Sequence, residues 1–288
     1  MTLLKPHSKD LGGGFVVNRL LPAAQRQAVG PFIFFDHFGP VVVEPAANYD
    51  VRPHPHIGLA TLTYLLEGVI LHRDNLGYVQ RIEPGAINWM TAGRGIVHSE
   101  RRPPDQAQQS YTNHGLQLWL ALPTAHEADA ASFSHTPAAA IPVCTVDAAQ
   151  VRVLVGEAFG ACSPVATLSP TLMLDVQLPA GAQWSLPLLA QEQAVYALQG
   201  QLAVDGQALE PHTMAVQSDA VRLTTGAEPV RMVVIGGAPL GRRFIWWNFV
   251  ASDKERINAA KHAWAVGDAN AGMGQVPDET ERIELPAH

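Results

Sequence analysis

Short apolar runs, many of them ending at Gly or Pro, constrain the fold of this 288-residue chain more than any other feature. The clearest runs cover residues 60–68, 85–90, 116–122, 151–158, 171–178, 194–200 and 230–237. They are rich in β-branched, aromatic and aliphatic residues, which favour strands, whereas Gly and Pro favour turns. Because few helical patterns lie between the runs, the sequence predicts an all-β protein built as a sandwich or barrel.

The length of the chain suits two domains of roughly 100–150 residues each. We predict one domain at residues 1–130 and a second at residues 131–288. Between them, residues 123–142 are rich in Ala and Pro and are typical of a linker.

One helix is predicted near the end of the chain, over residues 252–265. Ser252 is its expected N-cap, and Glu255, three residues later, completes a capping box. The polar tail beyond Gly267 is expected to wrap over the surface.

Two short motifs combine residues that bind metals. His54-Pro-His56 and His98-Ser-Glu100 each place two such side chains at positions i and i+2. Because side chains of a strand alternate between its faces, each pair projects onto one face. Three imidazoles and one carboxylate suit Fe, Ni, Cu, Mn or Zn, and leave coordination positions open for a substrate or O₂. A lone histidine on a strand is more often a packing or surface residue, but two pairs together predict one metal site.

An internal repeat suggests that only the first half carries this site. The segment YLLEG (64–68), followed by EPG (83–85), corresponds to YALQG (196–200), followed by Glu-Pro at 210–211. Counted without gaps, the repeat pairs His54 with Leu186, His56 with Leu188, His98 with Thr225 and Glu100 with Ala227. Apolar or small residues thus replace the ligands in the second half.

Charge and composition exclude several classes of function. The formal net charge is −7, and Lys and Arg do not cluster into the basic face that nucleic acids require. The glycines at 12–14 and 93–95 lack the strand and helix of a dinucleotide-binding turn. Cys144 and Cys162 form no paired motif, and neither a signal peptide nor a membrane-spanning run is visible. We therefore expect a cytoplasmic protein that contacts neither membranes nor nucleic acids.

The residues from 52 to 100 resemble the pirins, a bicupin branch of the cupin superfamily. They include RPHPHIGLATLTYLLEG, HRDNLG, IEPGAINWM and TAGRGIVHSE, and FFDHFGP (34–40), GLQLWLALP (115–123), GEAFGACSPV (156–165) and IWWNFVASDKERI (245–257) add to the likeness. The resemblance covers residues from about 12 to 265. It implies two cupin (jelly-roll β-barrel) domains in tandem and a short C-terminal helix, with metal only in the N-terminal domain.

In pirins the metal ligands are the two histidines of the HPH segment and the His and Glu of the H-x-E segment. They carry over onto His54, His56, His98 and Glu100 without a departure. Most other cupins take a Glu a few residues after the first pair, where this chain has Ala60 or Thr61.

The resemblance also implies an activity, because several pirins look like quercetin 2,3-dioxygenases and iron is the metal most often associated with them. One divalent metal is expected, Fe(II) first, with Ni, Cu, Mn and Zn as alternatives. The implied partners are a flavonol-like substrate and O₂. Glu100, ligand and base together, would take the proton of the flavonol 3-hydroxyl, and oxidative cleavage of the heterocycle would release carbon monoxide.

Five further residues are candidates around the metal. Gln117 is interpreted as a contact to metal-bound water, with a barrel-interior side chain bonded to backbone as the equal alternative. Asp36, Arg94, Trp89 and Met90 are candidates for the mouth of the site. A surface or bracing role is the alternative for Asp36 and Arg94, and simple core packing is favoured for Trp89 and Met90. The remaining histidines are interpreted as surface or peripheral residues.

Two other functions stay open at this point. Eukaryotic pirins resemble transcriptional co-regulators, which implies a non-enzymatic, metal- and redox-dependent module that binds a protein partner. Cupins also include isomerases and decarboxylases, and the fold does not choose among these activities.

Overall fold

The computed structural model describes residues 1–10 and 16–286, so the glycines at 12–14 lie outside the described residues. In chain order the strands are β1 (Thr2–Leu4), β2 (His7–Asp10), β3 (Val16–Leu21), β4 (Phe32–Val43), β5 (Val51–His56), β6 (Leu59–Glu67), β7 (Ile70–Asp74), β8 (Val79–Ile82), β9 (Ile87–Thr91), β10 (Ile96–Arg101), β11 (Tyr111–Ala121), β12 (Ser132–Thr136), β13 (Val143–Val146), β14 (Ala149–Val155), β15 (Glu157–Ala158), β16 (Ala161–Cys162), β17 (Thr171–Leu178), β18 (Gln183–Leu186), β19 (Glu192–Gln199), β20 (Leu202–Val204), β21 (Gln207–Leu209), β22 (Met214–Gln217), β23 (Val221–Thr225), β24 (Val230–Gly237), β25 (Phe244–Trp246) and β26 (Phe249–Ala251). One α-helix, α1 (Lys254–Val266), occurs among the described residues, with 3-10 turns at Pro104–Gln106, Thr124–His126, Ala138–Ala140 and Ala269–Ala271.

The all-β expectation is confirmed, and each of the seven predicted runs contains or overlaps a strand. The matching strands are β6, β9, β11, β14, β17, β19 and β24. Within the described residues, no helix has the length and apolar character needed to cross a membrane.

The strands form two sets of sheets with the same order. In the first set, a sheet β5-β10-β7-β8 accompanies a sheet β12-β9-β6-β11-β4-β3-β2. In the second set, β18-β23-β20-β21 accompanies β1-β22-β19-β24-β17-β14-β13. The strand-for-strand correspondence confirms the tandem cupin fold and the internal repeat.

The chain forms two compact units from separated segments. Unit 1 comprises Met1–Lys9, Asn18–Asp36 and Thr136–Leu240, and unit 2 comprises the described residues of Asp10–Val17, His37–His135 and Gly241–His288. Helix α1 therefore belongs to the unit that carries the histidine motifs. The single boundary between residues 130 and 131 stays a prediction.

Strand pairing corrects the gapless alignment of the repeat. In the first set His56 pairs with Ile96 and His54 with His98, whereas in the second set Leu186 pairs with Val221 and Trp184 with Leu223. The structural counterparts of His54, His56 and His98 are therefore Trp184, Leu186 and Leu223, and the predicted pairings were wrong by two residues. For His54 and His56 the cause is the connection before β19, residues 187–191, which is longer than the connection of residues 57–58 before β6. For His98 and Glu100 the cause is the shorter stretch from the start of β22 to the start of β23, compared with the stretch from β9 to β10.

The second barrel has packed core side chains at the three positions equivalent to the histidines. Trp184, Leu186 and Leu223 are fully buried in one apolar cluster of unit 1. The counterpart of Glu100, two residues after Leu223, is Thr225, whose hydroxyl accepts the Ala182 N–H. Apolar and small residues thus occupy the positions equivalent to those of the predicted ligands.

The N-cap of helix α1 lies one residue later in the chain than predicted. Asp253 is the N-cap, and its side chain accepts the Glu255 N–H. Ser252 was the wrong residue, because its N–H and hydroxyl donate instead to the buried carboxylate of Glu127, at 3.0 and 2.8 Å. The helix ends at Gly267, whose φ of 69° suits glycine.

The segments predicted as linker and tail are more ordered than their composition suggests. Residues 132–136 form β12, an edge strand beside β9, so the prediction of a plain linker over 123–142 was wrong. The tail packs through Met273 and Val276, which are buried. Glu279 then accepts hydrogen bonds from Ser99 (2.6 Å) and Arg101.

Candidate metal centre

Three histidines of unit 2 gather where β5 and β10 pair. His54 and His56 leave β5 two residues apart, and His98 lies opposite His54 on β10. One ligand nitrogen from each of the three lies within 4.8 Å of the others, and all three side chains are buried. The alternation rule therefore places the two HPH imidazoles together as predicted.

Backbone carbonyls orient two of the three rings. His54 Nδ1 lies 2.9 Å from the carbonyl oxygen of Arg52, and His56 Nδ1 lies 3.1 Å from that of Asn248. A carbonyl only accepts, so each Nδ1 carries the proton and each Nε2 presents a lone pair. This is the arrangement by which proteins fix the tautomer of a metal-binding histidine.

His98 supplies the clearest sign that the site holds an ion. Both of its ring nitrogens are buried and have no hydrogen-bond partner among the described residues. A buried polar atom without a partner costs free energy, so such an atom needs an explanation. Coordination of a metal between the three imidazoles provides one for the single ring nitrogen that His98 offers to this group.

The protonation states fit the same interpretation. Burial lowers the pKa of His54 to about 4 and holds the pKa values of His56 and His98 well below their usual 6.5. At neutral pH all three rings are therefore uncharged, which metal coordination requires. The donor set fits a divalent transition metal.

Glu100 is not part of the group within 4.8 Å. It follows His98 by two residues, and the regular β7–β10 ladder, in which Glu100 pairs with His72, keeps it on the same face as His98. On the other side of β10 the ladder to β5 is irregular between His98 and Glu100. Burial raises the pKa of this carboxyl to about 7. Its role as the fourth ligand stays a prediction.

Strand β11 supplies an aromatic neighbour that sequence reasoning missed. The Trp119 ring meets His56 edge to face, with centroids 5.2 Å apart. Gln117, two residues earlier, shares that face of β11, and its Oε1 accepts a hydrogen bond from Thr63 Oγ1 at 2.8 Å. Gln117 therefore faces the side of the histidines, bonded to a side chain and not to backbone. Trp119 could have been found from the sequence, because it follows Gln117 by two residues and side chains at that spacing share one face of a strand.

Trp89 and Met90 point to opposite faces of the sheet. Met90 lies opposite Thr61, which lies opposite Trp119 on the other side of β6, so Met90 shares the histidine-facing side. Trp89 lies on the reverse face, where its Nε1 donates to Thr91 Oγ1 at 3.1 Å. Both side chains are buried, as core packing requires.

Asp36 and Arg94 are not brought to the histidines as ligand neighbours. Asp36 belongs to unit 1, where both of its oxygens accept hydrogen bonds from Arg19 at 2.8 and 2.7 Å. Burial raises the pKa of Asp36 above its usual value despite this partner. Arg94 has an exposed side chain that lines a separate cavity next to α1. For Asp36, the bracing alternative describes the contact that the structure shows.

A second histidine–carboxylate pair adjoins the centre. His72 Nε2 donates to Asp74 Oδ2 at 2.9 Å, and both side chains are buried. The His72 ring stacks on Phe133, with centroids 4.3 Å apart, and lies 5.3 Å from the His98 ring. The H-x-D spacing within HRDN could have revealed this pair, because it repeats the i, i+2 pattern of the ligand motifs.

Two protein-family models match separate segments of this chain. The family model described as Pirin matches residues 14–120, and the model described as Pirin C-terminal cupin domain matches residues 173–270. The chain belongs to the pirin family. Among pirin relatives, a pirin-like protein of Caulobacter vibrioides is 43% identical over 284 residues, covering 96% of each chain.

Two further relatives bear a functional name. A protein of Pseudomonas aeruginosa, provisionally named quercetin 2,3-dioxygenase, is 38% identical and covers 91% of this chain and 83% of its own. The crystal structure of a quercetin 2,3-dioxygenase from Acinetobacter baumannii superposes with a TM-score of 0.91 at 34% identity, over 100% of this chain and 95% of that one. A bacterial pirin from Escherichia coli, solved in complex with nickel(II), shares the fold, with a TM-score of 0.63 at 16% identity over 82% of this chain and 99% of that one.

Proposed function

We propose that this pirin-family protein is a metal-dependent dioxygenase that cleaves a flavonol or a similar enediol in the manner of quercetin 2,3-dioxygenase. The observation that carries the proposal is the buried triad of neutral imidazoles, in which the ring nitrogens of His98 have no hydrogen-bond partner in the part of the chain that the structure describes. The names of the relatives from Pseudomonas aeruginosa and Acinetobacter baumannii support the choice of reaction.

The ligands of the proposed metal are His54, His56, His98 and Glu100. Fe(II) is the proposed ion, and the nickel(II) bound by the Escherichia coli pirin supports nickel as an alternative. Such an ion supplies Lewis-acid and one-electron chemistry to a chelating substrate and O₂.

The protein's own groups bind the substrate and move its proton. Glu100, on the histidine-facing side of β10, accepts the proton of the flavonol 3-hydroxyl, since a carboxylate is a suitable base for an acidified hydroxyl. Trp119 and Met90 provide an apolar wall on the same side, which excludes water from the reacting oxygens. His72, held by Asp74 and stacked on Phe133, borders the site beyond His98.

Aerobic reaction with quercetin tests the proposal. Iron-loaded protein should consume O₂ and bleach the flavonol absorbance. His56→Ala should abolish both signals and reduce bound iron, whereas His262→Ala, an exposed position on α1, should leave them unchanged.

Glu100→Gln separates proton transfer from folding. Compared with the wild type at equal iron content, this variant should remain folded and lose turnover by roughly 10²–10⁴-fold, the usual contribution of a general base. If the wild-type protein keeps its iron but neither binds quercetin nor consumes O₂, the dioxygenase proposal is refuted and the regulatory alternative is favoured. A protein that takes up no metal at all would refute the metal centre.

A further inference from the structure

A cavity of about 240 Å³ in unit 2 lies beside helix α1. Ala260 and Ala263 of α1 form one side, and Ile57 and Met273 add apolar surface. None of the three metal-centre histidines lines it. The cavity exists because alanines occupy the helix face here, where larger side chains would fill the space.

The polar side of this cavity has an excess of positive charge. Arg94, Arg256 and Glu127 all line it. The Glu127 carboxylate is already satisfied by Ser252 and by an ion pair with Arg243, at 3.0 Å. Arg256 approaches Glu127 only at 3.6 Å, so most of its donors remain available.

The guanidinium group of Arg94 is available to bind a ligand in this cavity. Its backbone N–H donates to the Asp129 carbonyl at 2.9 Å, which fixes the turn before β10. Among the described residues, its side chain has neither a hydrogen bond nor an ion pair, although it lines the cavity. Two guanidinium groups beside a neutralised carboxylate favour an anion, and the planar fork of arginine matches a carboxylate in particular.

We propose that this cavity is a binding site for small monocarboxylates with an apolar body, such as an aromatic acid. Arg94 and Arg256 bind the carboxylate, and Ile57, Met273 and the alanines of α1 contact the body. The volume is below the ~300–1,000 Å³ of sites for drug-sized ligands, so the ligand has a single ring or a short branched chain.

The site adjoins the segments that carry the metal ligands. Ile57 directly follows His56, and Arg94 lies in the turn that leads into β10 and His98. The Gly58 N–H donates to the Gly93 carbonyl at 2.8 Å and joins these two segments. An occupant therefore contacts Ile57, which directly follows His56, and Arg94 in the turn before β10, without touching the three histidines.

Titration of the full-length, metal-loaded protein with benzoate tests this site, and calorimetry and ligand-observed NMR measure the binding. Benzoate should bind saturably with a Kd on the order of 1 mM, as expected for so small a ligand. Benzamide, which has the same shape without the charge, and inorganic phosphate, which lacks the apolar body, should each bind at least ten-fold more weakly.

Two variants locate the binding. Arg94→Gln keeps the backbone turn but should weaken benzoate at least ten-fold, and Ala259→Leu, at an exposed position that lines the cavity, should block it by filling the space. Arg222→Gln, which removes an exposed charge in unit 1, is the matched control and should bind benzoate normally. Equal binding of benzamide or phosphate, unchanged binding in both cavity variants, or no saturable binding up to about 20 mM would overturn the proposal.

Discussion

Replacing His98 by leucine should reverse the order of stability between the metal-free and metal-loaded proteins. In the metal-free protein both ring nitrogens of His98 are buried without hydrogen-bond partners among the described residues. Each unsatisfied polar atom costs about 1–3 kcal/mol, and leucine has neither. The counterpart position in the second barrel already holds the fully buried Leu223, so the strand geometry accepts this side chain.

The two states give opposite predictions. Without metal, His98→Leu should be more stable than the wild type by about 2 kcal/mol, or roughly 5 °C in Tm. With metal at about 1,000 times its Kd, the wild type gains about 4 kcal/mol and the variant gains nothing. The wild type then becomes the more stable protein by about 2 kcal/mol.

Thermal unfolding in chelator and in excess nickel(II) measures both states. Leu223→His, the inverse change in the second barrel, is the matched control and should lower stability in both conditions, because it buries an imidazole with no ligand partners. A His98→Leu protein that melts below the wild type in chelator would refute the reasoning about unpartnered nitrogens. A variant that still gains stability from nickel(II) would refute the ligand assignment.

Three further predictions concern contacts outside the centre. Arg19→Met leaves the Asp36 carboxylate buried without its partner and should cost about 3–5 kcal/mol in denaturant unfolding. Asp253→Ala removes the N-cap of α1 and should cost about 1 kcal/mol, with faster amide exchange confined to the first helical turn. Burial raises the pKa of Glu279. The hydrogen bonds that Glu279 accepts, first of all from Arg101, outweigh this effect, so the pKa lies below its usual 4.5. Its stabilisation is therefore complete above about pH 4.5 and lost as the pH falls through the lower folded value, so the stability difference from Glu279→Gln should shrink on acidification.

Local pattern predicted the strands and the histidine geometry well. Alternation along β5 suffices to bring His54 and His56 to one face, and both motifs are contiguous in sequence. Apolar runs ending at Gly or Pro likewise predicted the main strands, because those signals act within a few residues.

Features that depend on distant residues were not visible in the sequence. Ser252 has a good capping side chain, but Glu127, distant in the chain, binds it, and the neighbouring Asp253 caps the helix. The partner of Asp36 is on another strand, and Arg94 lines a cavity that exists only once α1 has packed. Counting along the repeat failed at residues 187–191 and again between β22 and β23, because strand and loop lengths vary without any effect on strand pairing.

The carbonyl that fixes the His56 ring comes from Asn248, 192 residues further along the chain. During synthesis the HPH strand therefore leaves the ribosome long before the group that sets its tautomer. Helix α1 and β26, which belong to the same compact unit, also lie far beyond the HPH strand in the chain. A fully oriented triad for the proposed metal consequently requires residue 248, and a chain truncated before it would contain the three histidines without the carbonyl that orients His56.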